Sequence, residues 1–232
     1  MPVEEKKTRC DRHGRQQPSF RLGKLLDRIA ALRANMRGML ATEVVREALY
    51  LDSETVNLLD HMKTRLPYKI ITSTESLVKA YTYKNFIHQH YSQNAARYWN
   101  VMRMLHLFFN EWIFCAFQHD LRGVILDQPA TDDTLYDEWN QFPTKAALKA
   151  EEIIGDILAS VPYSIELLEK PSPLWARFLV WPLASIGTSE LCPVPAKMFI
   201  INRPKAVGER HELEHAKEAA MMLEEGVSIE DW

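Results

Sequence analysis

Cysteine and glycine are scarce in this 232-residue chain, with three of the first and eight of the second. Cys10, Cys115 and Cys192 lie far apart and form no C-x-x-C pair. A disulfide framework is therefore excluded, and a reducing compartment is expected. So few glycines disfavour a turn-rich β architecture. They also leave no G-x-x-x-x-G-K-[ST] or G-x-G-x-x-G loop, so nucleotide chemistry has no support. Long apolar runs are missing too. The longest, "LFFNEWIFCAF", is broken by Asn110 and Glu111 and is too short to span a bilayer. The N-terminus, "MPVEEKKTRCDRHGRQQ", has no apolar stretch of the signal-peptide kind, so a soluble intracellular chain with no membrane association is expected.

What is present is ordinary in bulk and uneven in detail. A hydrophobic fraction of 47% and a charged fraction of 25% match a globular average, on a chain long enough for one large domain. The net charge of −3 hides an asymmetry: residues 1–38 hold ten Lys/Arg against four Asp/Glu, or +6, leaving −9 for residues 39–232. Residues 1–20 read as a basic, solvated leader and residues 21–232 as a single helical domain. The basic segment is expected to add at most a weak, salt-dependent contact with nucleic acid through counterion release.

Apolar spacing is helical almost throughout, so the expected fold class is all-α, an irregular multi-helix bundle. Leu25, Leu26, Ile29, Leu32 and Met36 predict a helix from Leu22 to about Leu40. Asp52-Ser53-Glu54 reads as the start of a short helix capped by Ser53 and stopped at Leu66-Pro67. Residues 67–91 read as irregular, and no alternating β run stands out. From about Ser92 to His119, Tyr98, Val101, Leu105, Phe108, Trp112 and Cys115 form an apolar stripe, widened by Met102, Phe109 and Ile113. Arg97, Asn100, Arg103, His106 and Asn110 form a narrow polar one. This is the expected long, largely buried central helix. Asp127 to Phe142 reads as an acidic surface loop, and Pro143 as the first turn of a helix that ends at Pro162. Ser172-Pro173 restarts the chain for a helix kinked at Pro182 and stopped by Gly187, with Trp175, Phe178 and Ile186 packed inward. A short helix interrupted at Pro204, and a last one from Gly208 to Glu225 with Leu213, Ala216, Ala220 and Leu223 inward, close the pattern.

Chemistry-bearing constellations are weak. "HELEH" (His211 to His215) satisfies H-E-x-x-H, whose two histidines share a helical face and can bind zinc with Glu212 as base. No third ligand follows, and Glu209, Arg210, Glu214 and Lys217 mark a solvated face, so a metallopeptidase stays a remote alternative. Cys10-x-x-His13 is half a metal site. His88 and His90 could align only on an extended segment and lack partners, while His61, His106 and His119 stand isolated. Asp132-Asp133 and Asp137-Glu138 read as loop acids, and Ser189 lacks the G-x-S-x-G frame. No catalytic, metal or cofactor residue is nominated and no enzyme is expected. Met, Trp and Phe side chains around the Trp181-Pro182 helix could enclose a small apolar ligand.

The order of several segments is more informative than any one of them. "YSQNAARYWNVMRMLHLFFNEWI", then "AEEIIGDILASVPY", then "LVWPLASIGTSELCP", then "AKMFIINRPKAVGERHELEHAKEAAMML" and a closing "IEDW" follow one another, with "ALYLDSETVNLLDHMKTRLPYKI" upstream. In this order they resemble the helical regulatory domain of fungal zinc-cluster transcription factors, over about residues 45–232 and most densely from 91 onward. Asp156, Ile157, Ala159, Ser160, Val161, Pro162 and Tyr163 fall on one of its motifs; Trp181, Pro182, Leu183 and Gly187 fall on another. The resemblance implies a nuclear domain acting in transcriptional regulation through protein partners, dimerisation or response to a metabolite. It does not carry over zinc-cluster DNA binding, which needs six ligand cysteines where this sequence has three. The alternative is a stand-alone helical interaction protein, without DNA-binding or catalytic activity.

Overall fold

A computed structural model describes residues 18–72, 82–118, 133–165, 173–211 and 214–225. Among them the chain order is α1 (Pro18–Asn35), a 3-10 turn (Met36–Gly38), α2 (Ala41–Arg65), β1 (Tyr68–Thr72), β2 (Phe86–His90), α3 (Gln93–Ala116), α4 (Asp133–Ile165), α5 (Pro173–Thr188), α6 (Val194–His211) and α7 (Glu214–Glu225). The fold is all-α apart from one two-stranded sheet. Most of the basic leader, the acidic residues 127–132, His119 and the "IEDW" ending lie outside the described residues.

α3 is the central helix. Ser92 caps it, its Oγ accepting from the Ala95 amide at 3.2 Å, as Ser at that position favours. The helix packs on α2 along one side and on α4 along the other. Leu105 and Phe109 join Leu25, Leu32 and Leu51 of α1 and α2 in one core. Met104 and Leu107 join a second core with Ile154, Ile157, Leu183, Ile186, Ile200 and Leu223 of α4 to α7. With cores on both flanks, burial exceeds any single stripe. Tyr98, expected on the apolar face, is instead 48% exposed.

Several expected boundaries move, each for a physical reason. α2 begins at Ala41, not Asp52: Val44, Ala48, Leu51, Thr55 and Leu58 form one unbroken buried stripe at steps of four and three. Its first turn is closed by the Leu40 amide donating to Glu43 Oε2 at 3.1 Å, so Ser53 caps nothing. The stretch expected to be irregular supplies the sheet, pairing Tyr68 with His90, Ile70 with His88 and Thr72 with Phe86 in antiparallel register. Lys84 and Asn85, in left-handed backbone (φ 54 and 61), lead into β2, and Lys84 Nζ reaches Glu151 of α4 at 2.7 Å.

Asp133 to Phe142 is helix, not loop: α4 runs through both Pro143 and Pro162 to Ile165. α5 runs through Pro182 from Pro173 to Thr188, as expected, whereas α6 continues across Pro204, where an interruption was expected. Of the residues expected to pack inward from α5, Ile186 is fully buried. Phe178 is half-buried beneath the Arg97 guanidinium at 4.0 Å, and the Trp175 side chain lies outside the described residues. Trp181 is 49% exposed and packs edge-on against Phe108, with ring centroids 6.1 Å apart. α7 starts at Glu214, and Ala219, Ala220 and Leu223 face the core.

Gly187 does not stop α5 through a left-handed turn. It is buried inside the last turn, where a Cβ would meet Leu223 Cδ2 at 2.5 Å and Ile200 Cγ2 at 3.4 Å. The missing side chain lets α7 approach. Gly155, in α4, has nothing within 4 Å of the equivalent position. Gly187→Val should therefore destabilise the fold by about 2 kcal/mol through overpacking. Gly155→Ala should stabilise it by about 0.5–1 kcal/mol through helix propensity alone. Urea unfolding of the two variants checks the pair.

Candidate functional site

The polar stripe of α3 faces protein, not water. Asn100, Arg103, His106 and Asn110 are all buried, and Arg97 alone of that set is exposed. Buried polar groups need partners, so the stripe organises its surroundings into two neighbouring clusters.

The first is centred on Arg103. Its Nη2 lies 3.4 Å from Asp156 Oδ2 of α4 and donates to His88 Nδ1 of β2 at 3.1 Å. Because Nδ1 accepts, the His88 ring is neutral with its proton on Nε2, which points toward Asp156 Oδ1 at 3.8 Å. The guanidinium also lies 5.1 Å from the Tyr68 ring centroid and 5.2 Å from that of Trp99, within cation–π range. Trp99 in turn donates from Nε1 to the Leu66 carbonyl at 2.7 Å, tying α3 to the end of α2. One turn along, Asn100 Nδ2 donates to Ser160 Oγ at 2.8 Å, and Ser160 donates to the Ile157 carbonyl at 2.7 Å. Loss of hydration raises the Asp156 carboxyl above its ordinary range, while the Arg103 charge opposes that rise.

His88 and His90 do share a face, on a strand. Desolvation first, and the Arg103 charge second, lower His88 to about 3 and His90 to about 4. His90 is 2% exposed, lies against Tyr68 and Tyr163, and has no hydrogen bond at either ring nitrogen among the described residues.

The second cluster lies one turn further along α3. His106 Nε2 is 3.0 Å from Asp52 Oδ1 of α2, so the histidine read as isolated has a carboxylate partner. Asp52 Oδ1 is sealed from water yet receives no well-aligned hydrogen bond. Asn110 Nδ2 donates back to the His106 carbonyl at 2.7 Å. Above this pair opens a cleft of about 320 Å³ with α3 as its floor. Each of three helices contributes one face to it: Leu49, Asp52 and Val56 of α2; His106, Asn110 and Ile113 of α3; Phe142, Lys145, Ala146 and Lys149 of α4.

Of the other residues singled out by the sequence, those among the described residues are not gathered into a metal site. Cys192 is half-buried and its thiol is pushed up to about 11 by desolvation, which holds it protonated. His211 closes α6 and Glu214 opens α7; the side chains of His211, Glu212 and His215 lie outside the described residues, as do Cys10 and His13. Among the described residues no three His, Cys, Asp or Glu side chains group as metal ligands would, and no helix is long and apolar enough to cross a membrane. Compared with protein-family models, curated proteins and solved structures, the chain matches none.

The two buried histidines set a pH dependence with a definite sign. Each stays neutral in the folded chain down to pH 3–4, whereas an unfolded histidine protonates near 6.5. The unfolded state therefore takes up protons first. Stability should be unaffected by these groups above pH 6.5, and fall between 6.5 and about 4 by up to about 1.4 kcal/mol per pH unit per histidine. His90→Phe should make that slope shallower, because it removes one of the two groups and an unpartnered polar ring. Urea unfolding of both proteins at pH 7, 5.5 and 4.5 measures the difference.

Proposed function

We propose that the chain is a non-catalytic helical regulatory domain acting in transcriptional regulation, of the kind carried by the fungal zinc-cluster factors it resembles. One observation carries this reading. The segments that give the resemblance interlock: Trp99, Asn100 and Arg103 of "YWNVMR" meet Asp156 and Ser160 of "DILASVPY", directly or through Tyr68 and His88. Their polar groups are engaged in holding α3, α4 and the hairpin together. Motifs of that sort mark a fold that presents surfaces, not an arrangement aimed at a substrate. Trp181 stands half-exposed on α5 beside the α3 seam, and Tyr98 and Val194 are open to solvent, which suits action through protein partners. The nucleus is the compartment this reading implies.

Exposed aromatics serve equally a stand-alone interaction protein without a transcriptional role. Tethering decides between them. The full chain is fused to a heterologous DNA-binding domain and placed at a reporter promoter in a fungal cell. Regulatory activity predicts at least a several-fold change in reporter output, lost in a Gly187→Val variant that loosens the fold. An unchanged reporter, with the fusion shown to be nuclear and bound at the promoter, rejects the transcriptional reading and leaves the interaction protein.

A further inference from the structure

We propose that the cleft between α2, α3 and α4 is a binding site for a small organic acid with an apolar body. The proposal adds a ligand to the regulatory reading above, and its geometry stands without any link to transcription. The volume, about 320 Å³, is at the lower end of small-molecule sites. Its walls are apolar: Leu49 and Val56 from α2, Ile113 from α3 and Phe142 from α4. Hydrocarbon or an aromatic ring fits there, and a fully polar metabolite would leave those walls wet.

Charge decides which end group the ligand carries. Asp52 is engaged by His106 Nε2 at 3.0 Å, and Lys149 by Glu152 at 2.8 Å. Lys145 makes no hydrogen bond or ion pair with the described residues and is exposed on the α4 side of the cleft. The uncommitted charge among the described lining residues is thus a cation at the rim. A carboxylate placed there gains a charge-assisted hydrogen bond, about twice as strong as a neutral one. At the floor the polarity is reversed. Asp52 Oδ1 is sealed against His106, but the side chain as a whole lines the cleft and is 22% exposed, so the rest of its carboxylate offers an acceptor to a hydroxyl or amide on the far end of the ligand. Cation at the rim, apolar walls and acceptor at the floor describe a hydroxylated aromatic or aliphatic monocarboxylate.

The test uses the full chain and two probes of one shape: 4-hydroxyphenylacetate and its neutral amide, 4-hydroxyphenylacetamide. Each is titrated into isotope-labelled protein and followed by amide and methyl resonances. The acid is expected to bind at least tenfold more tightly than the amide, with the shifts centred on Leu49, Ile113 and Ala146. Lys145→Gln should erase that preference, and Val56→Trp, which fills the opening, should remove binding of both. Both substitutions fall at exposed positions, and circular dichroism checks that they leave the helices intact. Equal affinity for acid and amide overturns the proposal. So does a preference that survives Lys145→Gln, or no saturable binding of the acid to the unsubstituted chain. Any of these leaves the transcriptional reading untouched, since that rests on the reporter.

Discussion

A guanidinium enclosed in a helical bundle must find its counter-charge and its hydrogen-bond acceptors inside the protein. Arg103, with 4% of its side chain exposed, finds them on three neighbouring elements and on its own helix. Asp156 comes from α4, His88 from β2, and the ring faces of Tyr68 and Trp99 from β1 and α3 itself. Neutralising a buried charge seldom adds net stability over a well-packed apolar alternative, but leaving one partner unmatched costs about 3–5 kcal/mol. The group therefore acts as a constraint on arrangement. Any slip of α4 along α3 by a turn, or of β2 by one residue, would strand a charge. The hairpin owes its place to this. A two-stranded sheet is marginal alone, and β1 is largely exposed, with Ile70 at 63%. The inward side chains Tyr68, His88 and His90 dock it on the helices.

Apolar periodicity made the helices legible and their limits much less so. Where stripes were long, as in α3 and from Ala147 to Val161 of α4, position and type followed directly from steps of three and four. Boundaries drawn from single polar or proline residues failed at Asp52-Ser53, Pro143, Pro162 and Pro204. At Asp52-Ser53 the packed stripe outweighs the local signal, because burial of several apolar side chains exceeds the cost of one misplaced cap. Gly187 marked the end of α5 to within one residue, but its role there is another one. Glycine after an apolar run reads as a C-terminal stop, yet here it serves the contact with Leu223, a partner 36 positions away that no local window contains.

The candidate sites were hidden by a reasonable assumption about polarity. Asn100, Arg103, His106 and Asn110, at steps of three and four, look like the solvated side of an amphipathic helix. They are buried because α2 and α4 both flank α3, so that little of its circumference is left for water. β2 was obscured for a related reason: "FIHQH" buries Ile87, His88 and His90 while Phe86 is exposed, a pattern that does not alternate and whose two histidines a hydrophobicity reading scores as outward. The breadth of the α3 apolar set held the clue. Once more than half the helix surface is apolar, the remaining polar residues are expected to meet partners and not solvent.

One stripe thus performs two tasks. At Asn100 and Arg103 it closes α3 onto α4 and the hairpin. One turn later, about 4.5 Å along the axis, His106 and Asn110 lie where α2 and α4 part and the cleft begins. Lys149 on the cleft and Asp156 in the Arg103 cluster are seven residues apart on α4, two turns along the same face. A ligand that draws α4 toward α2 through Lys145 would load the same helix that Arg103 holds against the hairpin. Such an occupant can bias the arrangement only by binding one form more tightly than another. The contact that such a shift would stretch is the Arg103–Asp156 pair, 3.4 Å apart with the aspartate 42% exposed.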